Sequence, residues 1–199
     1  MEEEFIKGLL KQAYSTYFKV IGKFPEIKKY EIRLGYDPSV AYVRQTFYED
    51  DESGAVVLWP LLVTGPDFFG LGEAEKEAII AHELGHYIRG KRYGQKKLEK
   101  LSCLFEQLEL YYKKDSEKAV VSISDKEKRK MERIQKCYNL HEVYADNEAI
   151  ARGYGKQILS ALGKITKEHY GRLTKACKEG VKARMQNLES RLGVEDGSG

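Results

Sequence analysis

The sequence predicts an α+β fold in which an N-terminal helix and a small mixed or antiparallel sheet precede a largely helical remainder. Residues rich in β-branched and aromatic side chains are confined to the stretch from Tyr30 to Thr64, whereas apolar residues at helical spacing lie before and after it. The chain has 199 residues, 42% of them hydrophobic and 33% charged, which is typical of a folded protein that needs no disulfides to form a core.

The N-terminal third holds one predicted helix and the predicted sheet. Apolar residues recur at helical spacing over residues 2–22, and this helix ends before Pro25. The acidic segment 49–54 indicates a hairpin turn between the second and third strands. Pro60 either places the third strand at the edge of the sheet or breaks it near its end, because proline has no N–H to donate to a ladder. The predicted strands are Tyr30–Leu34, Ala41–Tyr48 and Val56–Leu62.

The rest of the chain is predicted to be mainly helical. Residues 73–89 form a helix with acidic residues in its first turn, preceded by a loop at 65–72. Ser124 and Glu127 match a capping box, which begins a helix that ends at Gly153. Further helices are predicted at 98–112, 155–163 and 165–192, with a loop at 113–124 and a disordered tail at 193–199.

Composition and charge exclude several classes of protein. No window approaches the ~18 to 20 consecutive apolar residues of a membrane span, and the acidic start of the chain does not resemble a signal peptide. Cys103, Cys137 and Cys177 are odd in number and share no metal-binding spacing, which indicates a reducing, cytoplasmic compartment, with Cys137 in the core. Between Arg152 and Arg191 ten Lys and Arg stand against three Glu. No nucleic acid-binding motif accompanies this basic run, so we expect a solvated helical face rather than a nucleic acid partner. The alternative is a regulatory peptidase whose basic C-terminal helices bind nucleic acid.

One motif dominates the sequence: His82-Glu83-Leu84-Gly85-His86, an HExxH inside the predicted helix at 73–89. Residues four apart lie on one face of a helix, so His82 and His86 can hold one Zn²⁺ per chain through imidazole nitrogens. Glu83 lies about 100° around the helix from His82, where it can act as general base on a zinc-bound water. With four histidines in the chain, this pattern favours a metal site over two histidines without a metal.

Gly85 lies in the interior of the same helix. Glycine there costs about 0.8–1.0 kcal/mol relative to alanine, so its presence needs a reason. We expect another element of the fold to approach the HExxH helix closely at this point.

A catalytic zinc ion needs a third protein ligand and one open position. The extended pattern HExxHxxGxxH is absent, since Arg89 and Arg92 stand where its glycine and third histidine would be. On the later capped helix Glu142 and Asp146 are four apart and share a face, so zinc could compensate Glu142 and a histidine Nδ1–H could compensate Asp146. We predict Glu142 as the ligand because only this assignment gives both acids a partner. His141 and Asp146 are the competing ligands on the same helix, and both acids could instead be ordinary surface residues.

The HELGH motif, followed by Glu-x-x-Ala-Asp from Glu142 to Asp146, resembles the motifs of gluzincin metallopeptidases. The most similar groups are the HtpX-type and CAAX-prenyl-processing proteases and their soluble minigluzincin relatives, over about Ala41–Gly153. The resemblance implies a zincin-like catalytic domain at 1–153, with 154–192 as a helical C-terminal extension packed on it. It also implies that Glu142 is the third ligand and that Asp146 supports a histidine.

The same resemblance implies how the substrate is bound. A peptide or protein would lie extended along the sheet edge that precedes the metal helix, which is the predicted strand Val56–Leu62. In membrane-bound members a histidine of a His-Pro pair stabilises the oxyanion after the glutamate helix. His169, which precedes Tyr170 here, is the histidine available for that role, although its position also fits an ordinary histidine on a helix surface. Tyr144, Tyr154 and Tyr170 are further candidates.

These features predict a zinc-dependent metalloendopeptidase in which Glu83 takes a proton from zinc-bound water and returns it to the leaving amine. One alternative is a non-catalytic binding module that zinc only stabilises, in which Glu83 has no role. Another is a regulatory peptidase of the ImmA/IrrE type, which shares HELGH but whose glutamate usually lies closer to the metal helix than Glu142 does. The sequence carries no signal for an oligomeric state.

Overall fold

The computed structural model describes residues 2–40, 42–50, 57–93, 104, 124–169 and 175–193. Its architecture is α+β, as predicted, with a small sheet packed against helices. The predicted helix at 98–112, the loop that follows it and the tail after Gly193 lie outside the described residues, apart from Leu104 and Ser124. The elements are α1 (Glu2–Ile21), β1 (Arg33–Tyr36), β2 (Val43–Asp50), β3 (Val57–Thr64), α2 (Pro66–Gly70), α3 (Glu73–Tyr93), α4 (Asp125–Ala151), α5 (Gly155–His169) and α6 (Lys175–Leu192).

The sheet is mixed and has the strand order β1-β3-β2. β2 pairs antiparallel with β3, from Val43 opposite Thr64 to Asp50 opposite Val57, so these strands form the predicted hairpin. β1 pairs parallel with β3 over a shorter length, from Arg33 opposite Leu61 onward.

The prediction that the third strand is an edge strand is wrong, because β3 lies between the other two. Pro60 stands opposite Phe47 on β2, but β1 begins only opposite Leu61. One side of β3 therefore has no partner strand at Pro60 within the described part of the sheet. A proline is tolerated at such a position, since its missing N–H breaks no ladder there.

α3 is the central helix of the core. Ile79, Ile80, Leu84 and Ile88 are all buried, although they lie on different sides of the helix. α3 contacts α1, α4, α5 and β2, which explains why it is covered on several faces. Further buried side chains come from elements before and after it, namely Tyr17, Phe24, Leu62, Phe68, Ile158 and Leu188. α5 and α6 therefore share the core of the preceding elements, and the domain boundary at residue 153 stays a prediction.

Local signals set the ends of α4. The Ser124 hydroxyl accepts a hydrogen bond from the Glu127 amide, and the Glu127 carboxylate accepts one from the Ser124 amide, which confirms the predicted capping box. At the other end Gly153 has φ +87°, a conformation that glycine adopts without strain.

Other helix boundaries differ from the prediction. The loop predicted at 65–72 contains α2, which begins with Pro66 at a helix-initiating position. α3 continues past Gly90 to Tyr93, since packing of the buried Gly90 outweighs its low helix propensity. α5 runs to His169 without the break predicted near residue 164. In the part of the chain with described coordinates, no helix is both long and apolar enough to cross a membrane.

Candidate metal centre

Helices α3 and α4 approach each other closely at Gly85. A Cβ added to Gly85 would lie 2.9 Å from both the Cα and the carbonyl oxygen of Ala145, and 3.1 Å from Cβ of Glu148. Any larger side chain at this position would push the two helices apart. The close approach expected from Gly85 is therefore present, and it brings the HExxH motif against the segment of α4 that carries Glu142.

The three predicted metal ligands lie together between these helices. Nε2 of His82 is 3.0 Å from Nε2 of His86 and 3.4 Å from one carboxylate oxygen of Glu142. Nε2 of His86 is 3.2 Å from the other oxygen of Glu142. Among the described residues this is the group of His, Cys, Asp or Glu side chains that could hold a metal ion. All three side chains are at most 12% exposed, so water competes little for their donor atoms.

The remaining nitrogens of both histidines contact α4. Nδ1 of His82 is 2.8 Å from Oδ1 of Asp146, which is fully buried. Nδ1 of His86 is 2.6 Å from Nδ1 of His141, which is also buried. Each ring thus directs Nε2 towards Glu142 and Nδ1 towards a polar side chain of α4. Outer contacts of this kind fix the orientation of metal-binding imidazoles. The contact of Asp146 with a histidine Nδ1 was predicted, whereas that of His141 was not.

Arg184 of α6 belongs to the same cluster, and sequence reasoning missed it. Its guanidinium donates hydrogen bonds of 2.8 Å to each oxygen of Asp146 and one of 2.7 Å to Oε2 of Glu142. Nη2 of Arg184 also lies 3.4 Å from Nδ1 of His82. Arg184 therefore links the third predicted ligand to the carboxylate that orients the first.

Gly180, one turn before Arg184, allows α6 to come this close. A Cβ at Gly180 would lie 2.8 Å from Oδ1 of Asn139 on α4. One turn after Arg184, Leu188 is fully buried. Gly180, Arg184 and Leu188 share one face of the helix, so a cation on an otherwise apolar face was the sequence signal for Arg184.

The cluster brings carboxylates, imidazoles and a guanidinium together. The carboxylates of Glu83, Glu142 and Asp146 lie near one guanidinium, that of Arg184. Burial and Arg184 lower the pKa of His82, but Asp146 and Glu142 outweigh them and raise it to about 9. Two imidazoles with one carboxylate are donors that suit zinc.

Two of the three acids are held in the charged form. Burial raises the pKa of Glu142, but Arg184 and His86 lower it well below its usual range. Burial likewise opposes ionisation of Asp146, and Arg184 with His82 brings its pKa to about 2. For Glu83 the effect of burial prevails, so its pKa is raised although His86 and His82 oppose this. Glu83 is thus the carboxylate of the three that gains a proton most readily.

Of the four candidates for oxyanion stabilisation, the structure describes the side chains of Tyr144 and Tyr154. The Tyr144 hydroxyl accepts a hydrogen bond from Arg92, and the guanidinium of Arg89 lies 4.7 Å from the centre of its ring. Tyr154 is buried in the hydrophobic core. The side chain of His169 and the whole of Tyr170 lie outside the described residues.

Cys137, which was expected in the core, is only half-buried. It lies one turn before His141 on α4. The turn between them also carries Tyr138 and Leu140, which are both exposed, so this part of α4 is less covered than predicted.

Comparison with known proteins adds no family to this description. No protein family, no curated protein and no solved structure matches the chain. The resemblance to gluzincins therefore depends on the two sequence motifs and on how the fold brings them together.

Proposed function

We propose that the protein is a zinc-dependent metalloendopeptidase with a zincin-like catalytic domain. The observation that carries the proposal is the convergence of His82, His86 and Glu142, from two helices, within electrostatic reach of Glu83. The HExxH motif and the motif that contains Glu142 lie far apart in the sequence. Neither would indicate a metal site if their side chains pointed in different directions. Their convergence supports a metal-dependent function for both.

The distances within the cluster fit zinc. Two ligand atoms bound at about 2.0–2.1 Å to a tetrahedral zinc ion lie about 3.3 Å apart. The three distances between the donor atoms are 3.0, 3.2 and 3.4 Å. They correspond to one face of a tetrahedron, and a fourth position then remains for water or substrate, as in catalytic zinc sites.

The chain supplies the groups that peptide hydrolysis requires. Zinc bound at this site would polarise a peptide carbonyl and lower the pKa of a water molecule to about 7. Glu83 would accept the proton of the attacking water and pass it to the leaving amine. Asp146 and Arg184 would hold His82 and Glu142 in fixed orientations during these steps.

β2 is the strand along which we propose that a peptide binds. It is an edge strand in the order β1-β3-β2 of the described sheet, and it contacts α3, which carries the HExxH motif. An extended peptide can add to a strand edge through main-chain hydrogen bonds, which require no particular sequence. β2 therefore takes the role that the sequence had assigned to Val56–Leu62.

The substitution Glu83→Gln tests the proposal. It keeps the size of the side chain but removes the base, so we expect zinc content and melting temperature to persist while cleavage of a peptide library falls ~10²–10⁴-fold. Glu77→Gln is the matched control, because Glu77 lies on the same helix and forms an ion pair with Lys19 of α1 at 3.8 Å. Equal cleavage by wild type and Glu83→Gln would contradict the proposal. Retained zinc without cleavage by the wild type would favour the zinc-stabilised binding module.

A further inference from the structure

We propose that His141 is a positioning residue of the metal centre, whose Nδ1 accepts a hydrogen bond from Nδ1 of His86 and so directs Nε2 of His86 to the metal position. The inference rests on one part of the proposed function, the binding of a divalent metal by His82, His86 and Glu142. It does not depend on peptide hydrolysis.

Contacts between α3 and α4 hold the rings of His86 and His141 against each other. The Nδ1 atoms are 2.6 Å apart, and the ring centres are 4.5 Å apart with an angle of 36° between the planes. The close packing at Gly85 fixes the distance between their helices. Next to His141, the guanidinium of Arg89 donates a 2.8 Å hydrogen bond to the carbonyl oxygen of Leu140. α4 is therefore anchored to α3 on both sides of the contact.

The protonation states follow from how an imidazole binds a metal. When Nε2 of His86 binds a cation, the proton of the neutral ring must be on Nδ1. His86 is largely buried, so an unpaired N–H there would be costly. Nδ1 of His141 lies at hydrogen-bond distance and can accept this proton if it carries none itself. His141 must then be the tautomer with its proton on Nε2.

The same geometry argues against His141 as a metal ligand. His141 contacts Nδ1 of His86, whereas Nε2 of His86 lies near His82 and Glu142. The two histidines of α3 thus have different outer partners, a carboxylate for His82 and a neutral imidazole for His86. A neutral partner holds the ring without adding a further charge to the cluster.

Two variants separate hydrogen bonding from packing. His141→Phe keeps a ring of similar size but has no acceptor, and we expect zinc affinity, measured by competition with a chromophoric chelator, to fall ~10–100-fold. His141→Asn places an amide oxygen near the position of Nδ1 and should recover most of that loss. The melting temperatures of the metal-free proteins provide the control for folding. Unchanged affinity in His141→Phe, or equal losses in both variants, would overturn the inference.

A second test of the inference uses the wild-type protein alone. Long-range ¹H–¹⁵N spectra of the zinc-loaded protein distinguish the histidine tautomers. We expect a proton on Nδ1 of His86 and on Nε2 of His141, with Nδ1 of His141 unprotonated. A proton on Nδ1 of His141 in a zinc-loaded protein would overturn this inference alone. Failure of the wild type to bind zinc would overturn the proposed function together with it.

Discussion

Arg184 and Glu142 are joined by a 2.7 Å hydrogen bond, although 42 positions separate them in the chain. The bond connects α6 to the predicted zinc ligand of α4. Because Arg184 also binds both oxygens of Asp146, one side chain holds the two acids of the Glu-x-x-Ala-Asp motif in place. The C-terminal helix is therefore part of the candidate metal centre.

Removal of Arg184 should destabilise the metal-free protein more than the zinc-loaded protein. Arg184→Ala leaves the buried Glu142 and Asp146 without their cation, and breaking a buried ion pair in this way costs about 3–5 kcal/mol. Zinc would compensate part of this loss by binding Glu142. Urea unfolding in the presence of EDTA and in the presence of zinc gives the free energy of unfolding of the metal-free and of the zinc-loaded protein.

The control for Arg184 is Lys182→Ala, which removes an exposed cation from the same helix. We expect it to change the free energy of unfolding by less than about 0.5 kcal/mol. Equal destabilisation of Arg184→Ala with and without zinc would show that Arg184 acts on α6 packing alone.

Gly85→Ala should weaken zinc binding without touching a ligand. The added methyl group would lie 2.9 Å from the backbone of Ala145 and force α3 and α4 apart. Overpacking costs about 1–3 kcal/mol, which exceeds the gain of about 0.8–1.0 kcal/mol from higher helix propensity. Gly163→Ala is the control, since no atom of the described residues outside its own helix backbone lies within 4 Å of a Cβ at that position. Gly163→Ala should stabilise the protein, and a similar gain from Gly85→Ala would contradict the described packing.

Glu142 and Asp146 should differ in their effect on zinc affinity. Glu142→Ala removes a ligand and should abolish stoichiometric binding. Asp146→Asn leaves the ligands in place but weakens the hold on His82, so a loss of ~10–100-fold is expected. Glu132→Gln, at an exposed position of α4, should change neither the stoichiometry nor the affinity of zinc binding. Chelator competition on the purified variants ranks them, and a larger loss in Asp146→Asn than in Glu142→Ala would contradict the assignment.

Away from the metal centre, Glu75 should contribute to stability only above acidic pH. Its carboxylate accepts hydrogen bonds of 2.7 Å from Lys164, 2.7 Å from Ser160 and 2.9 Å from the Gly72 amide. Burial raises the pKa of Glu75, but these partners outweigh it and lower the pKa below 4.5. A carboxyl group whose pKa is lower in the folded than in the unfolded state contributes its full stabilisation of the fold at neutral pH. This contribution disappears as the pH falls through the pKa of the folded state.

The comparison of wild type with Glu75→Gln measures this contribution. The free energy of unfolding of the wild type should exceed that of Glu75→Gln at pH 7, and the difference should shrink between about pH 5 and pH 3. Glu77→Gln serves as control on the same helix. A difference that stays constant over this range would show that ionisation of Glu75 does not contribute.

The spacing of residues on single helices was sufficient to predict much of the centre. His82 and His86 share a face of α3, and Glu142 and Asp146 share a face of α4, because residues four apart must do so. Gly85 also predicted that another element packs closely against α3, and α4 does so at Ala145.

Features that depend on packing between distant elements could not be predicted in the same way. Arg184 lies in a basic run that looks solvated, and only the approach of α6 at Gly180 brings it to the acids. Strand order is also a tertiary property. Pro60 indicated an edge, but the short length of β1 allows a proline in the central strand.

The central claim is that one zinc ion binds through His82, His86 and Glu142. Zinc K-edge X-ray absorption of the zinc-loaded protein tests it most directly, together with elemental analysis of purified protein. We predict one zinc per chain, with two imidazole nitrogens and carboxylate or water oxygens at about 2.0–2.2 Å, and loss of one imidazole in His86→Ala. A zinc-supplemented protein that contains no metal, or a spectrum that His86→Ala leaves unchanged, would contradict the claim.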